Sequence, residues 1–323
     1  MNSIKYKQLG SCGLRISPIV MGTMTFGDGA DVKESANLFY VALDAGINFF
    51  DCANMYANGQ SEEILRPLIR ERRQDILISS KAYFPVGVGP NDRGCSRHHL
   101  TNALHASLKR LGTDYIDIYF LHRFDENTPL AESLSCLNDF VRAGKLRYIG
   151  FSNFSAWQCM KALAIQEAMN FDKAVVIQPM YNLLKRQAEV EILPMAVSEG
   201  LGVLAYSPLA AGLLTGKYMT GQGGRLDHNE KYRLRYQTQA QSKAIEEFVQ
   251  MAQELETTPS SLAMAWVMAN PAISAPIAGA RTVEQLKQSL QALNFELSSQ
   301  DYQRISNLFP TPPLATDRDE ERQ

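Results

Sequence analysis

Nowhere does the chain run to about 18 uninterrupted apolar residues, the length that marks a membrane-crossing helix, so no spanning segment is read from it. Its first ten residues are polar and basic without an apolar signal core, and neither export nor membrane attachment is expected. Cysteine is scarce and scattered: Cys12, Cys52, Cys95, Cys136 and Cys159 make no C-x-x-C pair. That excludes a disulfide framework and a zinc knuckle, and points to a reducing cytoplasm and no metal. There is no excess of one charge either. The 32 basic and 34 acidic side chains are interspersed, with a net charge of -2, so neither nucleic acid nor an anionic membrane is expected as partner; a small molecule is. The dinucleotide fingerprint G-x-G-x-x-G after a strand is also missing, since Gly87-Val88-Gly89 lacks its third glycine.

What is present is an ordinary globular composition, 45% hydrophobic and 20% charged over 323 residues. Short β-branched and aromatic runs alternate with segments whose apolar positions recur at helical spacing, the pattern of parallel strands joined by crossover helices. Strands are predicted at 18–22, 47–51, 76–81, 115–122, 146–152, 174–180, 202–207 and 273–279. Helices are predicted at 32–45, 61–72, 96–111, 130–143, 156–168, 187–199 and 283–293, with two more before the last strand. Ser61 reads as a helix cap, and Gly46, Gly112, Gly144 and Gly200 stand where helices should stop. Eight such units could form an open doubly wound sheet or a closed barrel, and the length of the chain favours one (β/α)8 barrel over residues 1–309. Residues 6–17 read as a β-hairpin ahead of it, 215–238 as a long functional loop after strand seven, and 310–323 as a loose tail.

In a βα barrel, chemistry gathers where strands end. Strands two, three and four end in Asp51, Lys81 and His122, and Tyr56 follows Asp51 closely enough to return to the same mouth. A phenol is a poor acid at neutral pH, but an adjacent ammonium favours phenolate, and Lys81 could supply it while Asp51 keeps the amine charged. His122 could donate to a carbonyl oxygen as charge develops there. Each residue alone also fits a plain structural role: a loop cap, a solvated strand end, a packed ring, a satisfied polar group. The last strand runs into Gly279-Ala280-Arg281-Thr282 at a helix start, where backbone N–H groups, the helix dipole and the Arg281 fork suit a phosphate; an exposed arginine after a turn is the plainer alternative.

Three runs then carry a resemblance: Gly46-Ile47-Asn48-Phe49-Phe50-Asp51-Cys52-Ala53-Asn54-Met55-Tyr56, Leu111-Gly112-Thr113-Asp114-Tyr115-Ile116-Asp117 with Leu121-His122, and Gly144-Lys145-Leu146-Arg147-Tyr148-Ile149-Gly150-Phe151-Ser152-Asn153-Phe154. With them the chain, over residues 6 to about 293, resembles the aldo-keto reductase family, closest in pattern to its bacterial general reductases and the potassium-channel β-subunit-like branch. The resemblance implies a (β/α)8 TIM barrel, a catalytic tetrad of Asp51, Tyr56, Lys81 and His122, and reversible reduction of an aldehyde or ketone by NADP(H). It further implies cofactor contacts from Gly22, Thr23, Met24 and Asp51 on the barrel floor, and from Ser152, Asn153 and Gln178 toward the nicotinamide carboxamide. Tyr206 would stack on the nicotinamide, with Ser207, Pro208, Leu209, Ala210 and Gly212 along the pyrophosphate. Lys217 and Arg225 would fold over the phosphates, with Arg233 and Arg235 as rivals. Gly279, Arg281, Thr282, Gln285, Gln288 and Ser289 would hold the adenosine end, with Arg281 on a 2′-phosphate and NADPH therefore expected over NADH. Cys52 departs from a frequent threonine, and Gln288 and Ser289 from an acid and an asparagine.

The loops after the first four strands offer Met24, Phe26, Met55, Tyr83, Phe84, Arg123 and Phe124 as an apolar substrate pocket. Two other functions are open to the same sequence. One is a cofactor-sensing regulatory subunit like the channel β-subunits, which often lack the histidine present here as His122. The other is a Schiff-base lyase or aldolase using Lys81.

Overall fold

The computed structural model describes residues 4–236 and 242–316. Eight parallel strands close into a barrel: β3 (Val20–Gly22), β4 (Phe49–Asp51), β5 (Leu77–Ala82), β6 (Ile116–Leu121), β7 (Leu146–Ser152), β8 (Ala174–Gln178), β9 (Gly202–Ala205) and β10 (Ala275–Gly279). The ring shuts where Ala275 pairs with Leu204 on one side of β10 and Ile277 with Val20 on the other. The alternative of an open sheet is thereby excluded. Helices α1 (Val32–Asp44), α2 (Gln60–Ile69), α3 (Arg97–Leu111), α4 (Leu130–Arg142), α5 (Ala156–Ala168) and α6 (Ile192–Ser198) follow in turn outside. Beyond β9 come α7 (Arg225–His228), α8 (Glu230–Tyr236), α9 (Ser242–Glu254) and α10 (Pro259–Ala269), and after β10 come α11 (Val283–Leu290) and α12 (Ser299–Ser306).

The local causes are visible in the sequence. In α1, Asp31 accepts the Glu34 amide at 2.8 Å, and Ser35, Leu38, Phe39 and Ala42 form one buried stripe at helical spacing. Phe39 stacks on Phe50 at 4.4 Å between ring centroids, which fastens the helix to an outward face of β4. All four glycines read as helix stops have positive φ.

Within each strand, alternate residues face inward. Val20, Phe49, Ile118, Phe120, Val176, Leu204, Ala275 and Ile277 form the apolar interior, a cluster separate from the layer between strands and helices. Leu9 and Ile16, fully buried, join that interior from the hairpin of β1 (Lys7–Gln8) and β2 (Arg15–Ile16), which plugs the end where the strands begin. The contact is backbone to backbone: Ser11 N donates to Gly200 O at 2.7 Å, and a Cβ on Gly10 would overlap the Gly202 nitrogen.

Several boundaries differ from expectation. Strand 174–180 stops at Gln178 because Pro179 has no N–H to give, and 202–207 stops at Ala205, Tyr206 returning only as an isolated bridge to Met180. Ser61 does not cap α2. Gly59, at φ 93°, occupies that position, and the Ser61 hydroxyl lies inside the helix, bonded to Thr23 O at 2.8 Å. The helix expected over 187–199 is a 3-10 turn, Gln187–Glu189, followed by α6. The loop after β9 contains α7 and α8, while 237 and 238 lie outside the described residues. Helix α12 was not expected; its signal is Ser298, which accepts the Asp301 amide at 3.0 Å. Of the expected tail, 310–316 has neither helix nor strand, and 317–323 lie outside the described residues.

Candidate active site

The inward rows of the strands change character along their length. Phe49 is followed by Asp51, Leu77 by Ser79 and Lys81, Phe120 by His122, and Val176 by Gln178. At the mouth opposite the hairpin these polar ends meet. Lys81 Nζ, fully buried, donates to Asp51 Oδ2 at 2.7 Å and to Cys52 O at 2.7 Å, and lies 3.3 Å from the Tyr56 hydroxyl. The other Asp51 oxygen accepts from Ser79 Oγ at 2.7 Å and Gln178 Nε2 at 2.9 Å. The carboxylate is thus held by three donors, which is what a buried anion requires. Ser79 was not singled out in the sequence, although its place two residues before Lys81 on one strand put it on the same face.

Tyr56 arrives on a turn of unusual backbone: Ala57 (φ 47°), Asn58 (φ 54°) and Gly59 (φ 93°) are successively left-handed. Burial first, and the Asp51 carboxylate second, push the phenol well above its ordinary value. The expectation that the Lys81 ammonium, kept charged by Asp51, would lower it therefore needs correction. The ammonium is already shared with Asp51 and a carbonyl, so the phenol meets an ion pair rather than a bare cation. Tyr56 consequently keeps its proton at neutral pH.

His122 stands edge-on to Tyr56, ring centroids 6.2 Å apart, and is walled by Phe84 at 4.8 Å. Burial, and then the Lys81 ammonium, hold its imidazole well below the usual range, so the ring is neutral with one N–H to give. Its Nδ1 has no partner among the described residues. The four groups named from the sequence thus lie together around one opening.

Beside them, Asn153 (φ 57°) donates to His122 O at 2.9 Å and to Ser152 Oγ at 3.1 Å, and its Oδ1 accepts from Tyr206 at 2.7 Å. Gln178, expected to face a nicotinamide, has its amide nitrogen committed to Asp51. Thr23 is fully buried, with its hydroxyl on Asp51 O at 3.0 Å, and a Cβ on Gly22 would crowd Ile277. Ser207, Ala210, Ala211 and Gly212 all have positive φ, so the chain after β9 folds back sharply there, with Pro208 and Leu209 inside the bend.

A cluster of cations lies to one side. Burial, then the charges of Arg281 and Arg225, lower the Lys217 ammonium from its usual value, and none of the three makes an ion pair with an acid among the described residues. Three cations with one carboxylate, Asp227, near them and no direct ion pair leave net positive charge, which fits a polyanion such as a nucleotide phosphate. A Cβ on Gly29 would sit 3.1 Å from Arg281 Nε, so this glycine leaves room for the guanidinium. Of the rival loop arginines, Arg235 packs on the same Tyr232 ring as Arg225, each 5.0 Å from its centroid, and its charge also acts on the Tyr206 phenol, while Arg233 pairs with Glu230.

The start of α11 is less open than the sequence suggested. Arg281 N donates to the Gln285 side chain at 2.9 Å, Val283 N to Glu34 at 2.8 Å and Gln285 N to Thr282 at 3.3 Å, so side chains take three of the amides expected to be free for phosphate. Gly279 is exposed at the end of β10. Gln288 bonds Glu284 at 3.4 Å, and Ser289 is buried against its own helix on Gln285 O. Of the expected pocket, Met24, Met55, Tyr83, Phe84 and Phe124 are part-buried and Arg123 is exposed. Phe26 is corrected: it is fully buried in the layer between strands and helices, with no face toward the mouth. Met24 instead meets the Tyr232 hydroxyl on α8, a wall residue that the sequence reading missed because its helix was read as loop.

With this geometry in place, comparison with known proteins is informative. The pattern of the Aldo/keto reductase family matches residues 18–309. The uncharacterized oxidoreductase YrpG of Bacillus subtilis is 40% identical over 96% of this chain and 97% of its own. A probable voltage-gated potassium channel subunit beta of Arabidopsis thaliana is 38% identical over 90% and 92%. The L-glyceraldehyde 3-phosphate reductase of Escherichia coli K12 is 34% identical over 90% and 88%.

Proposed function

Since the chain belongs to the aldo/keto reductase family, we propose that it is an NADPH-dependent reductase of aldehydes or ketones, with Tyr56 as the proton donor. The observation that carries the reading is the convergence of Tyr56, Lys81, Asp51 and His122 at one mouth, with Lys81 Nζ 3.3 Å from the phenol. NADPH, when bound, supplies the hydride. The chain's part is to hold the carbonyl oxygen between the Tyr56 hydroxyl and the His122 N–H, and to deliver the phenolic proton as negative charge develops there. Lys81 stabilises the phenolate left behind, and Asp51, fixed by Ser79 and Gln178, keeps that ammonium in place. Lys217, Arg225 and Arg281 would take the phosphates. With three of the amides at the start of α11 occupied, selectivity for the 2′-phosphate would rest mainly on the Arg281 side chain.

The fully buried, ion-paired state of Lys81 speaks against a Schiff base, which needs a neutral amine open to substrate. The likeness to proteins named as channel β-subunits favours a second reading, a cofactor sensor, but a complete donor set around the mouth is what turnover needs. Residues 1–309 would form one working unit, and unpaired cysteines are compatible with a reducing compartment such as the cytoplasm. Its test is a panel of carbonyl compounds assayed by NADPH absorbance, with NADH in parallel. Carbonyl-dependent oxidation of NADPH, faster than of NADH, is expected. Binding of NADPH with no turnover across aromatic, aliphatic and phosphorylated aldehydes would favour the sensor.

A further inference from the structure

On the far side of the turn that carries Tyr56, a separate cavity of about 150 Å³ lies against α3. Asn54, Asn91, Asp92, His99, Asn102 and Arg110 give it a polar lining, with Val86 at its exposed rim and Ala103 and Ala106 on its α3 wall. Asn54 is 2% exposed, yet neither its Nδ2 nor its Oδ1 has a hydrogen-bond partner among the described residues. Turning the amide over exchanges one orphan for the other. His99 is also 2% exposed, and its Nε2 likewise has no partner among the described residues. Buried polar atoms are almost always satisfied, by protein or by solvent, because the alternative is a full desolvation penalty.

We propose that this cavity is a hydration site, in which a few ordered waters bridge the Asn54 amide to the His99 imidazole and so fix the Tyr56 turn from behind. Size and chemistry select water. Ligand pockets run to roughly 300–1,000 Å³, whereas a water takes about 30 Å³, so the space suits a handful of them. Asn54 offers a donor and an acceptor, and the lining charges have opposite signs and existing partners: Asp92 Oδ2 on Gly89 N at 2.8 Å and Arg110 Nε on Glu62 at 2.7 Å. Neither an anion nor a cation is favoured there, while a molecule that both donates and accepts is.

The turn needs such an anchor. Two successive left-handed residues other than glycine persist only where their surroundings over-determine them. Two supports are already visible: Asn54 N on Lys81 O at 3.2 Å, and Gly59 packed so closely on Arg110 that a Cβ would lie 2.9 Å from its Nε. Waters on the Asn54 amide complete the frame, which makes Asn54 a positioning residue for Tyr56. Only a consequence for turnover would rest on the proposed role of Tyr56; the experiments below read hydration and order, and stand or fall apart from it.

A crystal structure at high resolution should place waters within hydrogen-bond distance of both Asn54 amide atoms and His99 Nε2; a dry cavity, or an amide turned to a protein partner, overturns the proposal. Filling the space gives a test of sign. Ala106→Leu should lower Tm by roughly 2–4 °C, because it displaces the waters and strands the amide, and should cause no further loss in an Asn54→Leu background. A rise in Tm would mean a dry void usefully filled, and an equal fall in both backgrounds would mean simple overpacking; either contradicts hydration. In Asn54→Ala, the Tyr56 and Asn58 amides, bonded to Ala53 O and Met55 O, should exchange with solvent about tenfold faster, with partial recovery in Asn54→Ser. Unchanged exchange would remove the positioning role.

Discussion

The two ends of the barrel are built from the same strands and could hardly be more different. Where the strands begin, Leu9 and Ile16 of the hairpin close on Val20, Phe49 and Leu204, and backbone meets backbone at Gly10 and Gly202. Where they end, two or four residues further along four of the inward rows, the side chains are Asp51, Lys81, His122 and Gln178. One end is stable because it buries apolar surface; the other is costly to bury and holds together only because each charge is paired. The difference teaches where substitutions will be felt as stability and where as chemistry.

The sharpest way to break this contrast is Tyr56→Phe, which removes one oxygen from the polar end. Carbonyl reduction should fall by about 10²–10⁴-fold in kcat, the usual contribution of a positioned acid, with folding untouched; steady-state kinetics beside a melting curve would show it, and wild-type turnover would end the acid assignment. Next is Lys81→Met, which should cost about 3–5 kcal/mol by leaving the Asp51 carboxylate buried and unpaired, and abolish activity as well. Denaturant unfolding measures the first, and a variant as stable as the parent would show that the pair carries no structural weight. Third, Arg281→Ala should weaken NADPH binding by roughly 10–100-fold, the weight of charge-assisted hydrogen bonds, while NADH changes little; equal losses for the two nucleotides would remove the 2′-phosphate role.

At the opposite end, Gly10→Ala should destabilise by about 1–3 kcal/mol, since it combines a positive φ of 56° with backbone overlap, while kcat of the folded fraction stays at the parental value. A change in kcat there would blur the division between the two ends. The smallest effect belongs to pH. An unfolded imidazole protonates near ~6.5, but folded His122 resists protonation well below that. The stability gained by keeping it neutral is therefore present above about pH 6.5 and is lost as pH falls from there toward the folded value. Between about pH 5 and 6.5, His122→Gln should show a shallower decline of Tm than the parent; parallel curves would place the proton elsewhere.

Much of this contrast was legible in the sequence. Short β-branched and aromatic runs between helical segments marked the eight strands, the ends of three of them marked Asp51, Lys81 and His122, and Tyr56 lay close behind Asp51, because all of these are local signals. Ring closure was not local and came from length and resemblance. Other features depended on partners far apart in the chain. Gln178 reaches Asp51 across 127 residues, Glu34 caps α11 from α1, and Phe26 turns inward through packing that no neighbouring residue announces. The pKa direction of Tyr56 was not legible for the same reason: burial is its largest cause, ahead of the Asp51 charge, and burial is a property of the fold.

The most direct test of the central claim is a crystal structure of the protein with NADP+ and a carbonyl compound from the panel. The account predicts the carbonyl oxygen within about 2.6–3.2 Å of the Tyr56 hydroxyl, with His122 beside it and the nucleotide phosphates against Lys217, Arg225 and Arg281. A compound seated away from this mouth, with Tyr56 facing no ligand, would contradict it.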